Sequence, residues 1–280
     1  MASLAELARL RTDLDGPKLA HLQRLVGSWG LLSDFCFADL LLYVPQEYSS
    51  PDKFVVVGQI RPATSQTVYR SDWVGTVLDA DERPIVATAY RRGEIVDGSA
   101  PIPDLKEPVR VLAIPVRWQD EVIAVLTRES ALALRRQPGE LERIYVEVFN
   151  RFARMISVGD FPFADEDIEP EEAPRVGDGV MVLDAQRRVE YTSPNAVSAL
   201  HRVGVHANVE ALRLAEFGLN ESPIEEAYTK SGPVIDELDH GPEVTVLLRC
   251  IPLLEQGRVS GAVVLLRDIS EVRRRDRLLL

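Results

Sequence analysis

The chain has 280 residues, 46% hydrophobic and 27% charged, which suits two soluble domains of ordinary size. Its formal charge of −12 disfavours nucleic acid as a partner, because phosphate contacts need clustered Lys and Arg, so no DNA is expected. No apolar run exceeds five residues, well short of the about 20 that a membrane helix needs. Met1–Glu6 carries neither the basic nor the apolar stretch of a signal peptide. A cytoplasmic protein is expected, with Cys36 and Cys250 reduced and buried rather than bridged.

In chain order, Pro17 opens a helix on which Leu22, Leu25, Val26, Trp29 and Leu32 form one apolar stripe. Two β-rich runs follow, Ala38–Val44 ended by Pro45 and Phe54–Ile60 ended by Arg61-Pro62, then a helix over about Asp81–Arg92. Val109–Trp118 and Glu121–Arg128 alternate in hydropathy around the polar pair Gln119-Asp120, which predicts a hairpin. Glu140–Ser157 repeats apolar residues at three-and-four spacing and predicts a long helix.

Residues 159–175 hold seven acids against Arg175 and three prolines, with almost no apolar periodicity. Like charges extend such a segment and proline forbids a regular helix, so it reads as an interdomain linker. Beyond it, residues 176–183 and 188–192 pair around Asp184–Arg187. Ser193 then caps a helix that Pro194 begins and Gly204 ends, with Val197, Leu200 and Val203 on its apolar face. After small helices come two long strands, Glu243–Leu254 and Gly257–Asp268, turning at Glu255-Gln256. Asp268 is placed to cap an exit helix on which Ile269, Val272 and Leu279 could form a short coiled-coil seam.

The expected class is α+β: two domains, each a mainly antiparallel sheet flanked by helices. They span 1–158 and 176–268, with the linker at 159–175 and a C-terminal signalling helix beginning at 269–280. The first domain resembles the GAF fold in element order. In the second, "VLDAQRRVEYTSPNA", with Asp184, Asn195 and Ala196, is similar to the opening of PAS domains. "GAVVLLRDISEVRRRDRLL" is similar to their last strand and exit helix, with Ser270 where relatives often carry Thr. The tandem resembles actinobacterial sensor histidine kinases of the PdtaS type. That resemblance implies a homodimer, a kinase core in the same polypeptide that uses ATP and Mg to autophosphorylate on histidine, and transfer to a response regulator in a two-component system.

His21, His201, His206 and His240 all lack a phosphoacceptor setting, and no P-loop, His-Glu-x-x-His or Cys-x-x-Cys pattern occurs. The chain is therefore expected to hold no catalytic residue and no metal site of its own. GAF relatives commonly bind small molecules; Arg61, Thr64, Thr67 and Tyr69 on one loop, with Arg91 and Arg92, offer charge, hydroxyls and a ring for a ligand such as a phosphate. In the second domain Asn195 and His201 are pocket candidates, His201 because some PAS proteins hold haem through a helical His. Asp268, Ile269, Glu271 and Val272 are the candidate signal relay. A GAF–PAS sensor driving another output, such as a phosphatase or transcription regulator, is the alternative, with a haem or redox protein after it.

Overall fold

The computed structural model describes residues 4–63, 65–101, 108–132, 138–164 and 177–279. The chain divides into two compact units, Met1–Val176 and Gly177–Leu280.

The first unit runs α1 (Leu4–Arg11), α2 (Gly16–Cys36), β1 (Asp39–Pro45), β2 (Lys53–Ile60), β3 (Val77–Asp79), α3 (Pro84–Arg92), β4 (Val96–Ala100), β5 (Val109–Trp118), β6 (Glu121–Ala131) and α4 (Glu140–Val158). Asp15 starts α2 by accepting a bond from the Lys18 amide at 3.1 Å, with Pro17 in the first turn. The helix over 81–92 begins later than its hydropathy suggests. Pro84 fits only the first helical position and drives Arg83 out of the helical region, to φ −130° and ψ 62°.

The six strands order β3-β2-β1-β6-β5-β4, each neighbour antiparallel. The predicted hairpin is β5–β6, turning through Gln119 at φ 53°. Every residue of β1 is buried, as a central strand covered on both faces should be. One face packs Leu41, Tyr43, Phe54, Val111, Ala113 and Val125 against Val86, Ala87 and Ala89 of α3. The other meets α2 and α4.

Helix α4 ends in a Schellman motif: the Gly159 amide (φ 88°) reaches Ile156 O at 3.3 Å and the Asp160 amide reaches Met155 O at 2.9 Å. The chain then turns back into the core, which corrects the start of the linker. Phe161 is 2% exposed and lies edge-on to Phe152 with ring centroids 5.0 Å apart, and Phe163 packs on Phe161. Two rings at this spacing outweigh the acidic character of the segment, so residues 159–163 belong to the first unit. The most acidic part, 165–175, lies outside the described residues.

The second unit runs β7 (Gly179–Asp184), β8 (Val189–Thr192), α5 (Pro194–Arg202), a 3-10 turn (Leu214–Phe217), α6 (Ser222–Lys230), β9 (Val234–His240), β10 (Val244–Glu255), β11 (Arg258–Asp268) and α7 (Ser270–Leu279). Its sheet orders β8-β7-β11-β10-β9, antiparallel throughout. The β10–β11 turn sits one residue later than expected, on Gln256 (φ 51°) and Gly257 (φ 72°), because a tight hairpin takes positive φ at both central residues. On α5 the buried face is Ala196, Ala199, Leu200 and Val203, whereas Val197 is 39% exposed. The reason is close approach: a Cβ at Gly179 of β7 would overlap the Ala196 backbone, so the small residues face the sheet and Val197 turns outward.

Two expectations follow for stability. All three tryptophans, Trp29, Trp73 and Trp118, lie in the first unit, so their fluorescence follows its unfolding alone. Phe161→Ala is expected to cost that unit about 3–5 kcal/mol, read as a lower denaturant midpoint. His21 is 4% exposed. Burial first, then the Arg24 charge, lowers its pKa from 6.5 to about 4. The unfolded chain thus takes up this proton at a higher pH than the folded one, and stability falls as pH drops from 6.5 toward 4 by about 3 kcal/mol. His21→Gln should remove that slope relative to wild type in denaturation at a series of pH values.

Candidate functional site

The β1–β6 register places Asp39 opposite Glu129, on the face that packs against α3. Both are 0% exposed. Like charges directly opposite on a sheet repel, and burial adds to the cost. The surroundings supply the answer in hydrogen bonds. Asp39 accepts from the Thr67 hydroxyl at 2.6 Å and the Val68 amide at 2.7 Å. Glu129 accepts from the Thr127 hydroxyl at 2.8 Å, the Tyr43 hydroxyl at 3.3 Å and the Tyr69 hydroxyl. Arg83 Nη1 stands 3.6 Å from Glu129, Nη2 donates to Tyr69 at 3.2 Å, and the guanidinium lies 4.9 Å from the Trp73 ring centroid.

The electrostatics agree with this reading. Burial raises the Asp39 pKa and Glu129 pushes it the same way, while the Thr67 and Val68 bonds and the Arg61 charge pull it back. Burial, then the Glu129 charge, drives the Tyr43 and Tyr69 hydroxyls upward, so both are proton donors at neutral pH. A third carboxylate, Asp34, accepts the Ala63 amide at 3.1 Å, and Gln59 accepts the Trp73 amide at 2.8 Å. The loop between β2 and β3 is thus pinned along its length.

The predicted ligand residues separate on this framework. Tyr69 is buried against Glu129, and Thr67, itself exposed, turns its hydroxyl onto Asp39. Arg61 is exposed beside Asp39, and Thr64 lies outside the described residues. Arg91, 3.5 Å from Asp52, and exposed Arg92 sit at the opposite end of α3 from Arg83, about 12 Å away along a helix, where they line an open cleft with Arg117 and Glu121. The five described residues therefore fall in two places, Arg61, Thr67 and Tyr69 near the carboxylates and Arg91 and Arg92 at the far end of α3. Sequence reasoning missed Asp39, Arg83 and Glu129. The available signal was Glu129 continuing the inward alternation of Ile123, Val125 and Thr127, a charge at a core position.

In the second unit Asn195 is exposed and its amide donates to Gly177 O at 3.4 Å, which ties the strand entrance. His201 is also exposed, its ring centroid 5.0 Å from that of His206 in a shallow cleft with Thr192 and Asn208. Val197, Leu200, Val205 and Val209 supply the apolar part of that cleft, while Ala196 and Ala199 of α5 pack into the core. Both cysteines are free and buried, their thiols pushed up to about 12 by that burial, which leaves them protonated and unreactive.

Of the four relay residues, Asp268 and Ile269 bond at the start of α7 and Glu271 and Val272 do not face inward. Asp268 accepts from the Ser270 amide at 2.9 Å and the Ser270 hydroxyl at 2.5 Å, and pairs with Arg202 of α5 at 2.5 Å. Burial alone would raise its pKa, but these partners hold it below the usual range. Ser270 Oγ accepts the Thr245 amide at 3.1 Å, and the Ile269 amide donates to Thr245 O at 3.0 Å. Arg273 binds Glu237 of β9. Glu271 and Val272 face outward, Val272 56% exposed; the side chain of Leu279 lies outside the described residues. Arg267, next to Asp268, forms a two-point ion pair with buried Asp178, both contacts 2.7 Å. The start of α7 is therefore bracketed to β10, β9 and α5.

Arg83→Met would leave Glu129 buried without its countercharge. A loss of about 3–5 kcal/mol is expected for the first unit, measured by chemical denaturation with tryptophan fluorescence.

The comparisons agree with both halves of this description. A family model for the GAF domain of histidine kinase PdtaS matches residues 4–149, and one for the PAS fold matches residues 174–274. The sensor histidine kinase PdtaS of Mycolicibacterium smegmatis is 37% identical over 294 aligned residues, and that of Mycobacterium tuberculosis 38% over 299. Each alignment covers 100% of this chain and 58% of the relative, so the chain spans somewhat over half the length of the curated proteins it matches. Among solved structures, the sensor region of a sensor histidine kinase aligns with a TM-score of 0.81 at 35% identity, covering 97% of this chain and 100% of that one. Among the described residues no helix is long and apolar enough to cross a membrane. With a GAF domain followed by a PAS domain along its length, the chain belongs to the PdtaS family of sensor histidine kinases and is a sensory input region.

Proposed function

We propose that this region receives a cue in its GAF or PAS domain and passes a conformational change through α7 to a kinase core in the same polypeptide. That core would bind ATP and Mg, phosphorylate a histidine and hand the phosphoryl group to a response regulator. The working form would be a cytoplasmic homodimer, with Ile269 just before α7 and Val272 within it facing a second copy. The observation that carries this reading is the match of nearly the whole chain, in domain order and fold, to a histidine kinase sensor region. The bracket at Asp268 and Ser270 supports it, because a helix held by several directional bonds has a defined position that a cue can shift. A small-molecule cue at the GAF domain would have to exchange with the contacts that Thr67, Tyr69 and Arg83 now make.

The test uses the full protein encoded with this chain. Incubation with labelled ATP and Mg should place acid-labile, base-stable phosphate on the protein and then on a receiver domain. Ser270→Ala, which removes the side-chain bond to the Thr245 amide and leaves the Ile269 backbone bond, should alter the basal rate roughly fivefold, the scale of one hydrogen bond. Absence of ATP-dependent label, or an unchanged rate in S270A, would contradict the reading.

A further inference from the structure

Arg117 stands where the β5–β6 register shifts, between Val116 and Arg117. Its guanidinium donates to three backbone carbonyls from three elements: Nε to Ser157 O at 3.1 Å, Nη1 to Asp120 O at 3.1 Å and Nη2 to Gly93 O at 3.3 Å. Ser157 lies in the last turn of α4, Gly93 is the cap of α3, and Asp120 lies in the hairpin turn. The final carbonyls of a helix have no partner within it and form the negative end of its dipole. One cation therefore closes two helix ends together.

The glycines that end both helices permit this approach. Gly93 and Gly159 are left-handed, at φ 64° and 88°. A Cβ at Gly93 would lie 2.7 Å from Arg117 Nη2, and one at Gly159 would lie 3.4 Å from Arg117 O. The opposite end of α3 is Arg83, its N-cap, which reaches into the Asp39–Glu129 cluster. A nine-residue helix thus has the buried cluster at one end and Arg117 at the other.

We propose that Arg117 is the coupling residue of the GAF domain: it transmits movement of α3, begun at the Arg83–Glu129 contact, to the last turn of α4. A rigid helix joined at both ends by directional bonds is the kind of contiguous path along which such coupling travels. The sensory reading gives this linkage its purpose, but the linkage is a property of the first domain and can be measured without any kinase output.

Hydrogen–deuterium exchange on the 280-residue chain tests it, comparing wild type with Arg83→Lys, Arg117→Lys and the double variant. Lysine keeps the charge, but its single ammonium cannot reach three carbonyls in three directions. With Arg117 present, R83K should speed exchange in α3 and also at residues 155–160 at the end of α4, there by about tenfold, the scale of one lost hydrogen bond from a charged group. In the R117K background R83K should still speed α3 but add nothing at residues 155–160. Gly93→Ala, which crowds Nη2 away from α3 and leaves the Ser157 bond in place, should uncouple the ends in the same way if R117K folds poorly. Unchanged β10–β11 exchange reports that the rest of the chain is intact. The proposal is overturned if R83K leaves residues 155–160 unchanged, or if it speeds them by the same factor with and without Arg117, as a purely structural arginine would allow.

Discussion

Asp39 and Glu129 face each other across neighbouring strands with no access to water, and the first domain is arranged around that conflict. Neither carboxylate can be buried without donors, so the β2–β3 loop supplies Thr67, Val68 and Tyr69, and α3 supplies Arg83. The loop and the helix are therefore held by polar bonds of fixed direction rather than by apolar contact alone. Such a cluster fixes one arrangement when satisfied, and loses several contacts together when one member moves. A receiving domain has use for that property.

The second domain reaches definition by other means. Gly179 lets α5 lie directly on β7, and the two-point pair of Arg267 with Asp178 ties the last strand to the entrance of the first. Immediately after Arg267, Asp268 and Ser270 fix the start of α7. A second group of polar bonds in this domain ties the β7–β8 turn to α6 and the 3-10 turn, through Arg187 with Glu225 and Arg188 with Glu216.

The sequence shows this plan unevenly. Alternation exposes the β5–β6 hairpin, two long apolar runs about a polar turn expose β10–β11, and three-and-four spacing exposes α2 and α4. Periodicity gives no signal for β3, which has three residues, or for β4 and β9, whose burial is broken by Gly98, Ser99, Asp236, Glu237 and Asp239. These strands exist because a neighbour offers its edge. Tyr69 reads as a ligand residue for a similar reason: its true partner, Glu129, is 60 residues away and nothing local announces it. The acidic composition of 159–175 hides two phenylalanines that the fold uses. The capping role of Asp268 is readable because cap chemistry is local, whereas the bond of Ser270 to Thr245, 25 residues away, is not.

If the buried carboxylate cluster is what positions α3, then Arg83 and Glu129 should matter to each other far more than either does alone. The most direct measurement is a double-mutant cycle on the free energy of unfolding of the first domain, with Arg83→Met, Glu129→Met and both together. The account predicts that the double variant regains most of the stability lost by the R83M single, because an apolar pair of similar size no longer strands a charge. Losses that simply add would show that the two residues act independently and would contradict it.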